Sequence, residues 1–220
     1  MENKLKLMTC QLALFIKEGF VRSDEFSFEI SRRMHLGNYE PMLIPEAPGM
    51  PPEFPRLQIS TPKGYQLTLS RLRVDFVMSL PLGIEEDDTR RFHDECKTLL
   101  AILEEKGFKF SRVGYIHNYF SVGEAAIEEF IKKATPFRER NFFELSLSVT
   151  ERTFVNQKEC NSLYSFSSAI NGAGESGLLA VRDINTVPDK NYELLSSDVG
   201  SFMVAALSEI GVKSVIDLVG

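Results

Sequence analysis

Between residues 71 and 80 the chain alternates cleanly. Leu72, Val74, Phe76, Met78 and Leu80 fall on one side, and Arg71, Arg73 and Asp75 on the other, before Pro81 and Gly83 end the run. A period of two, apolar against polar, marks a strand with one buried and one wet face. Strands of this kind belong to antiparallel sheets covered on one side only. The pattern returns at Phe143, Leu145, Leu147 and Val149, which alternate with Glu144, Ser146, Ser148 and Thr150. It is present at 7–17 too, through Met8, Cys10, Leu12, Leu14 and Ile16. A helical stripe of Leu5, Met8, Leu12 and Phe15 competes there, and the surrounding strands favour the extended reading.

Further strands are expected at Arg56–Thr61 and Tyr65–Leu69, joined by Pro62-Lys63-Gly64, and at Phe108–Phe120. Two more follow at Cys160–Ile170, after a turn around Asn156-Gln157, and at Leu178–Val187, after Asn171-Gly172-Ala173-Gly174. Period-four spacing marks the helices. One spans 23–34, opened by Ser23-Asp24-Glu25 and carrying Phe26, Ile30 and Met34 inward. A longer one runs from Glu85 to Lys106 with Phe92, Cys96, Leu99, Leu100 and Leu103 in one stripe. Its opening acids, 85–88, complement the helix dipole. A short helix covers 124–133, ended by Pro136. The last begins near Ser197-Asp198 and buries Val199, Phe202, Met203, Ala206, Leu207 and Ile210.

The order is strand, helix, three strands, helix, and then the same again. The sequence therefore predicts one α+β domain over 1–220, with a largely antiparallel sheet of about eight strands and helices packed on one face. It predicts two β-α-β-β-β-α halves, 1–106 and 107–220, by pattern and not by residue identity. Six of the ten prolines lie in 41–55, which excludes an interior helix or central strand there. That segment is expected as a stiff surface crossover, with a proline-motif ligand as the alternative.

Composition excludes more than it assigns. The net charge is −6, and the 25 Lys and Arg form no basic run longer than two, so no nucleic-acid partner is expected. No apolar stretch reaches the length of a membrane span, the N-terminal run lacks a signal-peptide cleavage site, and the C-terminus carries no anchor motif. A cytoplasmic location and no membrane partner are expected. Cys10, Cys96 and Cys160 are too far apart for a metal motif and are expected as buried free thiols. No phosphate-binding loop, dinucleotide fingerprint or nucleophile elbow is present. No catalytic residue, cofactor or metal site is assigned.

The polar residues on strands are the candidates for a site. In 108–120, Arg112 and Asn118 share one side with Phe108, Phe110 and Gly114, and His117 follows close by. In the last strand, Arg182 and Asp183 fall on opposite faces, with Asn185 on the Asp183 side. A charge on a central strand must be paired or solvated, so Arg112 is expected to pair with Asp183 or Asp75. The functional alternative is a polar pocket of Arg112, His117, Asn118, Asp183 and Asn185 in a small-ligand binder or hydrolase-like enzyme. His93 is expected to face water. The row of Ser146, Ser148, Thr150 and Arg152 is expected to be the wet side of a sheet.

Three segments carry a resemblance. They are Phe54-Pro55-Arg56-Leu57 through Asp75, the run Arg112-Val113-Gly114-Tyr115-Ile116-His117-Asn118, and Leu178 through Thr186. Together they resemble a sporadically distributed family of uncharacterised bacterial proteins. The chain departs from that pattern in a 112–118 segment one residue short, and in Asn185 where the second aspartate of a pair stands. The resemblance implies this layout and a bacterial origin, and suits an accessory or defence role; it brings no activity. The function expected is that of a non-enzymatic interaction protein, binding a protein partner or itself through a sheet face or edge.

Overall fold

A computed structural model describes residues 5–45, 47–136 and 144–211. In chain order the elements are β1 (Lys6–Glu18), α1 (Ser23–Arg33), β2 (Met42–Leu43), β3 (Leu57–Ser60), β4 (Tyr65–Leu69), β5 (Arg73–Ser79) and α2 (Glu86–Glu105). There follow β6 (Lys109–Val122), α3 (Glu124–Ala134), β7 (Ser146–Val155), β8 (Lys158–Ile170), β9 (Ser176–Thr186) and α4 (Ser196–Ile210). The strands form one open antiparallel sheet of nine in the order β2-β3-β4-β5-β1-β6-β9-β8-β7. This is the expected α+β class. The additional strand, β2, comes from the proline-rich crossover and is confined to two residues at the sheet edge, where prolines do least harm.

The strand order is palindromic about its middle. β3-β4-β5-β1 of the first half is mirrored by β6-β9-β8-β7 of the second, with β1 and β6 antiparallel at the centre. In each half the first strand pairs with the last, and a helix precedes the three-strand meander.

The helices lie on one face. Cys10, Leu12 and Leu14 of β1, Val74, Phe76 and Met78 of β5, and Val113 and Tyr115 of β6 turn toward them. They meet Phe26 and Ile30 of α1, Phe92, Cys96 and Leu99 of α2, and Phe202 and Met203 of α4. A second cluster joins Phe130 and Ile131 of α3 to Tyr119, Phe166 and Ala180 of β6, β8 and β9. The stripe of α2 is buried along its length, and each fully buried Phe or Leu contributes roughly 1.5–3 kcal/mol. Its N-terminal contact, the Glu85 N–H donated to Asp88 Oδ2 at 3.2 Å, contributes about 1 kcal/mol, so packing outweighs capping here.

One expectation is corrected by a bulge. Phe15 pairs with Arg112, yet Ile16 pairs with Phe110, so Ser111 is an extra residue on β6. The extra residue reverses the alternation. Phe108 and Phe110 turn into the core, while Arg112, Gly114 and Asn118 point to the other face. The strand expected to start at Phe143 begins at Ser146; Phe143 itself lies outside the described residues.

Candidate functional site

Opposite the helices, the central strands present a polar face. Its rows follow from the register: Thr68, Asp75, Ala13, Gly114, Asn185, Asn161 and Arg152 lie across the sheet in one, and Gln66, Val77, Gln11, Ile116, Asp183, Leu163 and Thr150 in the next. At one end of this face Phe15 carries a guanidinium on either side, with Arg73 4.8 Å and Arg112 4.7 Å from its ring centre. Arg73 donates to Asp75 Oδ1 at 2.7 Å, and Gln11 Nε2 donates to the same oxygen at 2.7 Å.

Against the expectation from its position, Arg112 does not pair directly with an acid among the described residues. It donates to Asn185 Oδ1 at 2.7 Å, and Asn185 Nδ2 donates to Asp183 Oδ1 at 3.0 Å. Asn161 Nδ2 also reaches Asn185 Oδ1, at 3.3 Å. Asn185 thus bridges cation and anion, while Asp75 is held by Arg73. Burial pushes the Asp183 carboxyl above its usual range, and the Asn185 hydrogen bond and the charge of Arg112 oppose that shift. Burial also lowers the Arg112 pKa, with Asp183 working against it.

The five candidate residues do not converge. Arg112, Asp183 and Asn185 form one network. Asn118 shares their face but lies six residues from Arg112 along the strand, about 20 Å away. His117 is on the opposite face, 2% exposed, so the proposed pocket around Arg112 and His117 does not form. Asp75 and Asp183 stand on strands separated by β1 and β6, about 15 Å apart, too far to act as a carboxylate pair. A concavity lined by Met50, Pro51, Phe54, Arg56 and Arg71 holds about 10 Å³, room for a single water. Among the described residues no cluster of three His, Cys, Asp or Glu is placed to hold a metal. Cys10, Cys96 and Cys160 are buried and free, and burial pushes Cys10 up to about 12 and Cys160 up to about 11.

His117 belongs to a chain of polar groups inside the helix face. His93 Nε2 meets the Tyr115 hydroxyl at 2.5 Å, and that hydroxyl meets His117 Nε2 at 3.1 Å. His117 Nδ1 meets the Tyr119 hydroxyl at 3.1 Å, and Tyr119 donates to the Ile210 carbonyl at 2.7 Å. The final carbonyl can only accept, and with His117 neutral this fixes every proton before it. Tyr119 donates to Ile210, so His117 Nδ1–H donates to Tyr119. His117 Nε2 then accepts from Tyr115, and His93 Nε2–H donates to Tyr115. His117 is neutral in this arrangement, and burial takes its pKa down to about 3. His93 is half-buried and hydrogen-bonded, not turned to water as its neighbour Asp94 suggests.

Beside this chain sits Arg182, 1% exposed. It donates to Ser162 Oγ at 3.1 Å, to the Leu163 carbonyl at 3.1 Å and to the Glu209 carbonyl at 3.2 Å. Its guanidinium lies 3.4 Å from the Tyr164 ring centre. Tyr119 and Arg182 together satisfy carbonyls in the last turn of α4, groups no helix can satisfy internally. The sequence placed Arg182 and Asp183 on opposite faces correctly, but gave no sign that Arg182 holds a helix end.

The third feature is the sheet edge. β2 closes one side with two residues between Pro41 and Pro45. β7 forms the other and is ten residues long. From Ser146 to Arg152 every residue of it is exposed, Val149 by 54%, so the helix layer leaves this stretch uncovered, while Val155 at the far end is buried where α4 reaches the strand. Among the described residues one ladder, to β8, holds it. Sequence reasoning found the strand and its wet row but not its place at the edge, because strand order depends on contacts far apart in the chain.

No known family model matches the chain, and no curated protein matches it either.

Proposed function

We propose that this chain is a non-enzymatic interaction protein that binds a polypeptide along the β7 edge of its sheet. The observation that carries the reading is the inequality of the two edges. Proteins blunt sheet edges with short strands, prolines, bulges or covering elements, because a free row of N–H and C=O groups invites pairing. β2 follows that rule. β7 presents a long row and keeps Leu147 and Val149 exposed beside it. Adding a strand to such an edge is an established mode of polypeptide recognition: backbone hydrogen bonds give affinity and alternate side chains give selectivity.

The polar face supports this reading differently. Its charged groups are tied up in hydrogen bonds with one another, Gln11 and Asn185, though Arg73 Nε and Arg112 Nε are buried without a hydrogen-bond partner among the described residues. A photo-crosslinking residue placed at Val149 and, separately, at Gln66 on the exposed side of β4 tests the proposal in cells that make the protein. A discrete polypeptide adduct from position 149 and none from 66 is expected. Adducts from 66 alone, or none from 149, would contradict it.

A further inference from the structure

We infer that the strand received by β7 is β7 of a second copy, in an antiparallel register centred on Ser148. This rests on the edge reading above and names the partner. The β7 edge is self-complementary. A twofold axis perpendicular to the sheet keeps the helix layers of both copies on the same side and sets residue i opposite residue 296 − i, so that only residues of one face meet. With Ser148 on the axis, Leu147 lies opposite Val149 of the second copy, and Val149 opposite its Leu147. These side chains are exposed on the helix side, by 36% and 54%, and pairing closes all four into one apolar cluster.

On the polar side the same register sets Ser148 against Ser148 and Ser146 against Thr150, a row of hydroxyl pairs. It also sets Arg152 against Glu144 of the second copy, twice by symmetry. Glu144 is exposed, and among the described residues the ion pair of Arg152 is a 3.5 Å contact with Glu159 that it can give up or share. Other centres do worse. The Ser148 register sets Glu151 against Leu145, which is already buried in the α3 cluster, whereas an axis at Val149 sets Glu151 against the exposed Leu147 and one at Thr150 sets it against the exposed Val149, and both break the Leu147–Val149 pairing. An axis at Leu147 sets Glu144 against Thr150 and separates it from Arg152. The pairing would join two nine-stranded sheets into one and cover the exposed 146–152 stretch of the edge in both copies.

Single-cysteine crosslinking of the full chain tests both the partner and the register. Residues opposite each other on a twofold axis fall within the Cα separation a disulfide spans. The native cysteines are buried and do not compete. Under mild oxidation Ser148→Cys is expected to give a covalent dimer rapidly, while Ser146→Cys and Thr150→Cys alone give little. A mixture of those last two is expected to give the heterodimer. Sedimentation of the unmodified chain is expected to show a dimer that Val149→Lys shifts at least tenfold toward monomer, with the melting temperature of the dilute, monomeric protein kept. Rapid crosslinking from Thr150→Cys instead of Ser148→Cys would overturn the register. A monomer at all concentrations would overturn the dimer. If that monomer still gives a polypeptide adduct at position 149, only the choice of partner fails; without one, the edge reading fails with it.

Discussion

A neutral imidazole between two phenols sets the direction of the proton chain under the helix layer. His117 accepts from Tyr115 and donates to Tyr119, and protonating it would leave Tyr115 without its acceptor. Its folded pKa lies near 3, below the ordinary histidine value, so the unfolded chain takes up a proton first as pH falls. The stabilisation is complete above about pH 6.5 and is lost progressively as pH drops toward the folded value. His93 is shifted in the same direction by burial and adds to the trend. Urea unfolding should therefore show about 1 kcal/mol or more lost between about pH 7 and about pH 5.5, and His117→Gln should flatten that slope. An equal slope in the variant would show that His117 does not carry it. Arg182 makes a separate prediction. Its removal strands the Leu163 and Glu209 carbonyls, so Arg182→Ala should cost about 2–4 kcal/mol in denaturant melts. Little of this was legible in the sequence. Alternation assigns a face to each residue, but one inserted residue at Ser111 exchanges the faces, and nothing in composition announces a bulge.

At the level of elements the sequence was more informative. Helix stripes and strand alternation are local signals, and the helices and principal strands lie within a few residues of their expected bounds. The turn at Asn156-Gln157 was legible too. Both residues take positive φ, 47° and 62°, the geometry of a two-residue hairpin turn that suits the twist of β7 and β8. Gln157 adopts it at a steric cost that glycine avoids. Gln157→Gly should stabilise the protein by about 0.5–1 kcal/mol, seen as a higher melting temperature. A lower melting temperature would mean that the Gln157 side chain contributes more than its backbone costs. The end of α4 depends instead on tertiary partners. Arg182→Ala should also speed amide exchange in its last turn before the rest of the helix, since Arg182 and Tyr119 hold its carbonyls.

The whole molecule is a palindrome of strands whose two ends are treated unequally. The repeated order of elements was visible in the sequence, and the sheet realises it with β1 and β6 side by side. Strand order was not visible, because which strand lies outermost depends on pairings distant in the chain. Pairing of that outermost strand with a second copy would change its exposure to solvent. Hydrogen exchange of the 146–153 segment, followed by mass spectrometry at low and at high protein concentration, tests it most directly. With β8 as its only strand neighbour among the described residues, about half of the β7 amides face outward and should exchange quickly when the protein is dilute. At high concentration these amides should become protected, while β2 and the turn at 156–157 stay unchanged. Exchange in 146–153 that does not respond to concentration would contradict self-pairing at this edge.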